Sequence, residues 1–242
     1  MDEKYEKNVY LSMLCEQCNQ YDDMKFYLED IIKNKKEDLN LDECNLISFA
    51  YKNIISYHRN ALKTLQIYES KENIKENSIY LSYIIEYKKR IEKELVDICS
   101  TIISNIDHYL IPKAREIETR VFYNKLKADY FRYIAENVDK NDGKPFLEKS
   151  LKSYKDATEI SKKLPITNQL RLGLALNFSI FYYEIMNDSK TACSITKETI
   201  EIASKAMGNT DEEDEEFKDA FRIIDTMNEN LQMWSDVENK KD

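Results

Sequence analysis

The residues of this chain best suited to a charged ligand are a lysine, two arginines and a tyrosine. Lys52 and Arg59 stand seven positions apart, two helical turns, so both project from one face of a helix. Arg132 and Tyr133 lie in a second segment of helical period. The guanidinium is a planar fork that matches phosphate oxygens bidentately; lysine adds a point charge and tyrosine a neutral donor. A dianionic phosphate needs about this mixture. Each pair taken alone also reads as solvated helix surface, and spacing does not choose between the two. A third constellation lies in RLGLALNFSIFYYEIMN, where Gly173, Asn177, Ile180 and Glu184 recur at intervals of four, three and four, one stripe of a helix. An amide and a carboxylate on an otherwise apolar helix demand partners, since an unpaired buried polar group costs about 1–3 kcal/mol. Glu184 could hold arginine side chains in position and Asn177 could hydrogen-bond an extended peptide backbone. Both could equally close local interactions inside a bundle.

Other chemistry is poorly provided for. The two histidines, His58 and His108, belong to no recognisable motif and read as structural or surface residues. The three glycines, Gly143, Gly173 and Gly208, form no phosphate-cradling loop, and no nucleophile–base pairing stands out, so an enzyme is not expected. Five cysteines without a regular framework point to reduced thiols in a cytoplasmic protein. Cys15 and Cys18 spell C-x-x-C, but in a helical segment, and are expected to pack in the core rather than bind zinc; neither a metal nor a cofactor is expected. The net charge of −9 argues against nucleic acid as the main partner. No apolar run approaches the roughly 18–20 residues of a membrane span, and the start, MDEKYEKNVY, is too charged for a signal peptide.

These side chains must be positioned by helices. The 242 residues include only three glycines and three prolines, too few for many tight turns, while 33% charged and 42% hydrophobic residues suit amphipathic helices. The 3.6-residue period predicts helices at about 4–19, 22–35, 41–69, 77–107, 114–138, 147–163, 168–187, 189–206 and 213–235. Asn40 with Glu43 forms a capping-box pattern, Pro112 precedes the fifth helix, Asn141-Asp142-Gly143 signals a turn, and Pro165 with Thr167 separates two helices. The acidic run Asp211–Glu216 reads as a solvated lead into the last helix. The expected fold is therefore all-α: nine antiparallel helices in one domain over residues 1–234, stacked around a concave amphipathic groove, then a short disordered tail at 235–242. FRYIAE and YKDATEI are faintly similar to tetratricopeptide helices, which leaves open a helical-repeat adaptor for unphosphorylated peptide tails.

Three longer segments are far more specific. NLISFAYKNIISYHR, VFYNKLKADYFRYIAE and RLGLALNFSIFYYEI, in this order and separation, closely resemble the 14-3-3 family. YDDM at Tyr21–Met24, RIEKEL at Arg90–Leu95, LIP at Leu110–Pro112 and NLQMW at Asn230–Trp234 agree, so the likeness covers essentially the whole chain. The resemblance implies a non-catalytic, dimeric, nine-helix adaptor for phosphoserine and phosphothreonine segments. It places the family's phosphate pocket on Lys52, Arg59, Arg132 and Tyr133, and its peptide-clamping asparagines on Asn177 and Asn230. The groove is further implied at Gly173, Leu176, Ile180, Glu184, Ile223 and Trp234, with Asp129 orienting the pocket's cations. The dimer face is implied at Leu14, Cys18, Gln20, Asp23, Ala61, Leu65, Tyr87, Arg90 and Glu94.

The chain also departs from the family's pattern. Arg222 and Thr226 stand where the groove wall has leucines, an exchange that admits polar or acidic residues beside the phosphosite. On the dimer face Asp23 and Arg90 keep one charge pair, but Gln20 replaces an arginine and leaves Glu94 without its usual partner. Ile67 and Tyr68 reshape the packing nearby, so a homodimer of weakened or rearranged contact is expected. Ala61 sits where several members carry a regulatory phosphoserine, so that switch is expected to be absent.

Overall fold

The computed structural model describes residues 3–75, 78–208 and 217–238. Among them are nine α-helices and no strand: α1 (Glu3–Gln17), α2 (Tyr21–Asn34), α3 (Leu41–Asn73), α4 (Ile79–Asn105), α5 (Ile117–Asn137), α6 (Lys140–Ser161), α7 (Gln169–Ile180), α8 (Ser189–Met207) and α9 (Lys218–Glu238). Local chemistry sets several starts. At α3 the Asn40 side chain accepts from the Glu43 N–H at 2.9 Å, and the Glu43 carboxylate accepts from the Asn40 N–H at 2.7 Å. This is the capping box anticipated from sequence. Asn168 caps α7 by accepting from Leu170 and Arg171. Asp188 caps α8 through the Thr191 hydroxyl and N–H, which hold its carboxyl below the usual carboxylate range.

Four expectations need correction. The Asn141-Asp142-Gly143 turn is instead the first turn of α6, where the Gly143 N–H donates to the Asp139 carbonyl at 2.8 Å. Gly143 serves a close approach: a Cβ there would lie 3.0 Å from the Ala135 carbonyl oxygen of α5. The single helix predicted over 168–187 is an α-helix to Ile180 followed by a π turn, Phe181–Ile185. A second π turn, Ile106–Leu110, follows α4. Cys18 is exposed and Cys15 half-buried, so the C-x-x-C pair does not pack in the core. The reason is that α1 stops at Gln17 and Asn19 turns the chain at φ 55°, which throws Cys18 outward. Finally, α9 runs to Glu238, so residues 235–238 are helical rather than tail. The acidic run at 211–216 and residues 239–242 lie outside the described residues.

Contacts divide the chain into two compact units, Met1–Arg115 with Tyr130–Lys149, and Glu116–Asp129 with Ser150–Asp242. In the first unit α2, α3 and α4 pack through Met24, Leu28, Ile47, Tyr51, Ile55, Leu95 and Ile102, all buried. Tyr130 of α5 meets Tyr51 with ring centroids 6.1 Å apart. In the second unit Leu172, Ala203, Met207, Ala220 and Ile224 form a buried cluster joining α7, α8 and α9. Tyr154 packs there between Phe178 and Phe181, at 5.1 and 5.2 Å.

Because the α3 cap fixes the start of the helix that carries Lys52 and Arg59, Asn40→Ala should lower stability by about 1 kcal/mol. Urea denaturation followed by circular dichroism measures this; an unchanged midpoint would show that the box is ornamental.

Candidate functional site

The first unit brings together three of the four side chains suited to phosphate, and adds a fifth residue that organises them. Arg59 reaches from α3 and donates through Nη2 to Oε2 of Glu136 at 2.8 Å. Arg132, one helical turn before Glu136 on α5, donates through Nη1 to its Oε1 at 2.6 Å. Both guanidiniums also cover the Tyr133 ring, at 4.7 Å for Arg59 and 4.6 Å for Arg132. One carboxylate and one ring therefore hold two cations side by side. Arg132 is only 7% exposed, whereas Arg59 keeps 27% of its side chain open. Lys52, two turns earlier on α3, is exposed and forms no ion pair among the described residues. Lys52, Arg59 and Arg132 are three cations in a chain whose net charge is −9. Glu136 was not among the expected site residues, although its i, i+4 spacing from Arg132 in FRYIAE was a signal that could have found it.

In the second unit Asp129 is buried and its carboxylate accepts from the Asn177 amide, both oxygens at 3.0 Å. It also accepts from Lys125 at 3.0 Å and from the Tyr154 hydroxyl. The polar stripe of α7 is thus half answered: Asn177 has its partner, and the direction of its amide is set by Asp129. Glu184 is different. It falls in the π turn, where the Met186 N–H reaches back five residues to the Phe181 carbonyl, and the widened turn leaves it exposed. It is not the buried carboxylate in need of a partner that the sequence suggested.

Among the other expected groove residues, Gly173, Leu176 and Ile180 are half-buried on α7, and nothing lies within 4 Å of where a Gly173 Cβ would sit. On α9, Arg222 is exposed and paired with Asp219 at 3.3 Å, while exposed Thr226 donates to the Arg222 carbonyl at 3.0 Å. Ile223 packs against the buried cluster and Asn230 is half-buried. Trp234, expected as a groove residue, is instead 3% exposed and stacks on Tyr183 with centroids 4.6 Å apart and planes at 16°. It offers a ligand little surface.

The residues expected at a dimer face lie on α1–α4 of the first unit or in the α1–α2 turn. Leu14, Cys18, Gln20, Asp23, Tyr87, Arg90 and Glu94 are exposed, and Ala61 and Leu65 are half-buried. Glu94 is not left alone by the change at Gln20. It faces His58 Nε2 at 3.5 Å and Arg90 Nε at 3.6 Å within the same chain. His58 Nδ1 lies 2.8 Å from the Ile54 carbonyl, which fixes the ring that makes this contact. Among the described residues no group of three or more His, Cys, Asp or Glu could hold a metal ion, and no helix is long and apolar enough to cross a membrane.

A family model described as "14-3-3 protein" matches residues 11–235. The chain is 40% identical over 235 residues to a 14-3-3 protein homolog of Trichoderma harzianum, covering 97% of this chain and 88% of that protein. It is 41% identical over 240 residues to 14-3-3 protein 7 of Solanum lycopersicum, covering 98% and 94%. A 14-3-3-like protein of rice, Oryza sativa subsp. japonica, is 39% identical over 232 residues, covering 95% and 88%.

Removing the shared carboxylate should be costly, because Glu136→Ala takes an ion-pair partner from buried Arg132 and from Arg59 at once. The expected loss is about 2–3 kcal/mol, below the 3–5 typical of a fully buried pair because Arg59 is partly open to water. Chemical denaturation reads it out; a loss under about 0.5 kcal/mol would mean that other contacts anchor the two guanidiniums.

Proposed function

The chain belongs to the 14-3-3 family, and from that premise we propose which of its residues hold which part of a client. It is a phosphopeptide-binding adaptor that recognises phosphoserine and phosphothreonine segments, as the family does. The phosphate goes to Lys52, Arg59, Arg132 and Tyr133. The observation that carries this assignment is the pair of guanidiniums fixed by Glu136 and Tyr133. A guanidinium carries five N–H donors, and Arg59, with 27% of its side chain open, keeps some for oxygens brought from outside. Exposed Lys52 adds a mobile charge and the Tyr133 hydroxyl a neutral donor.

Asn177 and Asn230 are proposed to hydrogen-bond the client's backbone, which turns phosphate capture into recognition of an extended segment. Asp129 sets the orientation of Asn177, which supports that role. Gly173, Leu176, Ile180 and Ile223 supply apolar contact. Arg222 and Thr226 make the wall polar, and the Asp219 partner of Arg222 is exposed enough to be exchanged for an acidic client residue. Trp234 acts through its stacking on Tyr183, and exposed Glu184 is left at the surface of the π turn. Family members pair, and this chain is proposed to form a homodimer of altered contact through the α1–α4 residues given above. Two pockets per dimer would raise affinity for doubly phosphorylated clients through effective concentration. We assign the protein to the cytoplasm and assign it no catalysis, cofactor, membrane or nucleic-acid partner. A helical-repeat adaptor for plain tails is not favoured, since the family model spans residues 11–235.

Arg132→Ala should weaken phosphopeptide binding at least tenfold by fluorescence anisotropy, since a charge-assisted hydrogen bond contributes about 1.5–3 kcal/mol. Lys52→Ala should weaken binding less and leave folding untouched, because Lys52 is exposed and unpaired among the described residues. Affinity should rise from pH 5 to pH 7, as the phosphate gains its second charge near pH 6. Equal affinity for the unphosphorylated peptide would end this reading. A second test concerns selectivity: Arg222→Leu with Thr226→Leu should shift preference from acidic to apolar residues flanking the phosphosite. An identical ranking of a varied peptide panel by both proteins would sink the selectivity claim alone.

A further inference from the structure

Within the same unit as Arg59 and Arg132, α1 and α3 leave an unfilled cleft of about 430 Å³. Its apolar lining comes from Val9 and Met13 of α1 and from Leu46 and Phe49 of α3. Met13 is 50% exposed and Phe49 38% exposed, so the lining is apolar surface left to water. On the rim stand Glu16 and Asp42, and neither carboxylate forms an ion pair among the described residues. Glu43 at the cleft's end is unavailable, being held by Tyr5, Lys35 and the Asn40 N–H.

Position along α3 connects this cleft to the phosphate. Phe49 precedes Lys52 by three residues and Arg59 by ten, which is about 5 and 15 Å along a helix axis. An extended peptide advances about 3.3–3.6 Å per residue, so those distances correspond to about one and a half to four and a half client residues. Resting on the phosphate assignment above, we infer that the cleft between α1 and α3 is a specificity subsite. It takes an apolar client side chain two to four residues from the phosphorylated one, with a neighbouring lysine or arginine meeting Asp42 or Glu16. The chemistry on both sides agrees. Apolar lining rewards leucine, methionine or phenylalanine, and an unpaired acidic rim rewards a basic neighbour and rejects an acidic one. Other parts of the first unit do not offer this combination. The cleft lined by Asp22, Asp23, Ile54 and Tyr57 also carries His58, and the one lined by Tyr5, Asp30, Ile31 and Glu37 carries three lysines, Lys4, Lys35 and Lys36.

The experiment uses the full chain and a phosphoserine peptide library in which each position within four residues of the phosphate carries leucine, glycine or glutamate. The native protein should prefer leucine over glycine by about tenfold at one position two to four residues away. Met13→Glu should erase that preference while leaving affinity for the all-glycine phosphopeptide unchanged, because Met13 lies on α1 and is half exposed. A photo-reactive leucine analogue at the preferred position should cross-link to α1 or to the first half of α3. Phosphate-dependent binding with no position sensitive to Met13→Glu would overturn the subsite while sparing the phosphate pocket. Cross-links joining Met13 to a second copy of this chain would give the cleft to self-association and overturn it too. Binding indifferent to phosphate would remove both readings together.

Discussion

One carboxylate, Glu136, carries an unusual obligation: it neutralises Arg59 and Arg132 at once, through one oxygen each. Two guanidiniums held this close repel, and the repulsion is strengthened where protein excludes water. The Tyr133 ring, lying under both, offsets part of that cost by presenting its negative face to each cation. The phosphate dianion proposed for this site would relieve what repulsion remains. Much of the surrounding structure can be understood as holding α3 and α5 against that repulsion. The capping box at Asn40 fixes where α3 begins, and the Tyr51–Tyr130 contact joins the two helices through the core.

The same logic distinguishes the two kinds of polar group on α7. Asn177 is half-buried and bonded to a buried carboxylate, so its orientation is decided before any ligand arrives. Pre-orientation matters because a side chain that is already ordered loses less entropy on binding. Glu184 sits on an exposed π turn and has no such constraint. An asparagine proposed to read a peptide backbone would gain from being fixed. A carboxylate in water has no need to be.

How far all this was legible follows from the range of the interactions involved. Helix identity depends on local period and caps, and the chain states both clearly, as at Asn40 and Glu43 or Asn168. The side chains proposed for phosphate were named from three long segments that match a family pattern, and Arg132 and Tyr133 could not have been chosen by spacing alone. What escaped depends on contacts between elements. Gly143 is read as a turn by composition, yet it is required by the approach of α6 to the Ala135 carbonyl. Cys15 and Cys18 look like core residues only if α1 continues past Gln17, which it does not. Trp234 is identified by position, but its burial depends on Tyr183, fifty-one residues earlier. Glu136 was missed for a different reason. Its signal was local, the i, i+4 spacing from Arg132, but that spacing is common on helix surfaces and does not single out a site.

Burial also explains which parts of the site can drift. Arg132, Asp129 and Tyr154 are each buried and held by charged or hydrogen-bonded partners, so replacing any of them strands a buried group at substantial cost. Arg222, Thr226, Met13 and Phe49 are exposed, and surface exchanges away from special features usually change stability by no more than about 0.5 kcal/mol. A chain that is 40% identical to a relative over nearly its full length can therefore keep its phosphate chemistry while its flanking contacts change. Specificity, being a difference of affinities among clients that all carry the same phosphate, must be written in those exposed positions. The cluster proposed for phosphate would serve every client alike, and it could not by itself choose between them.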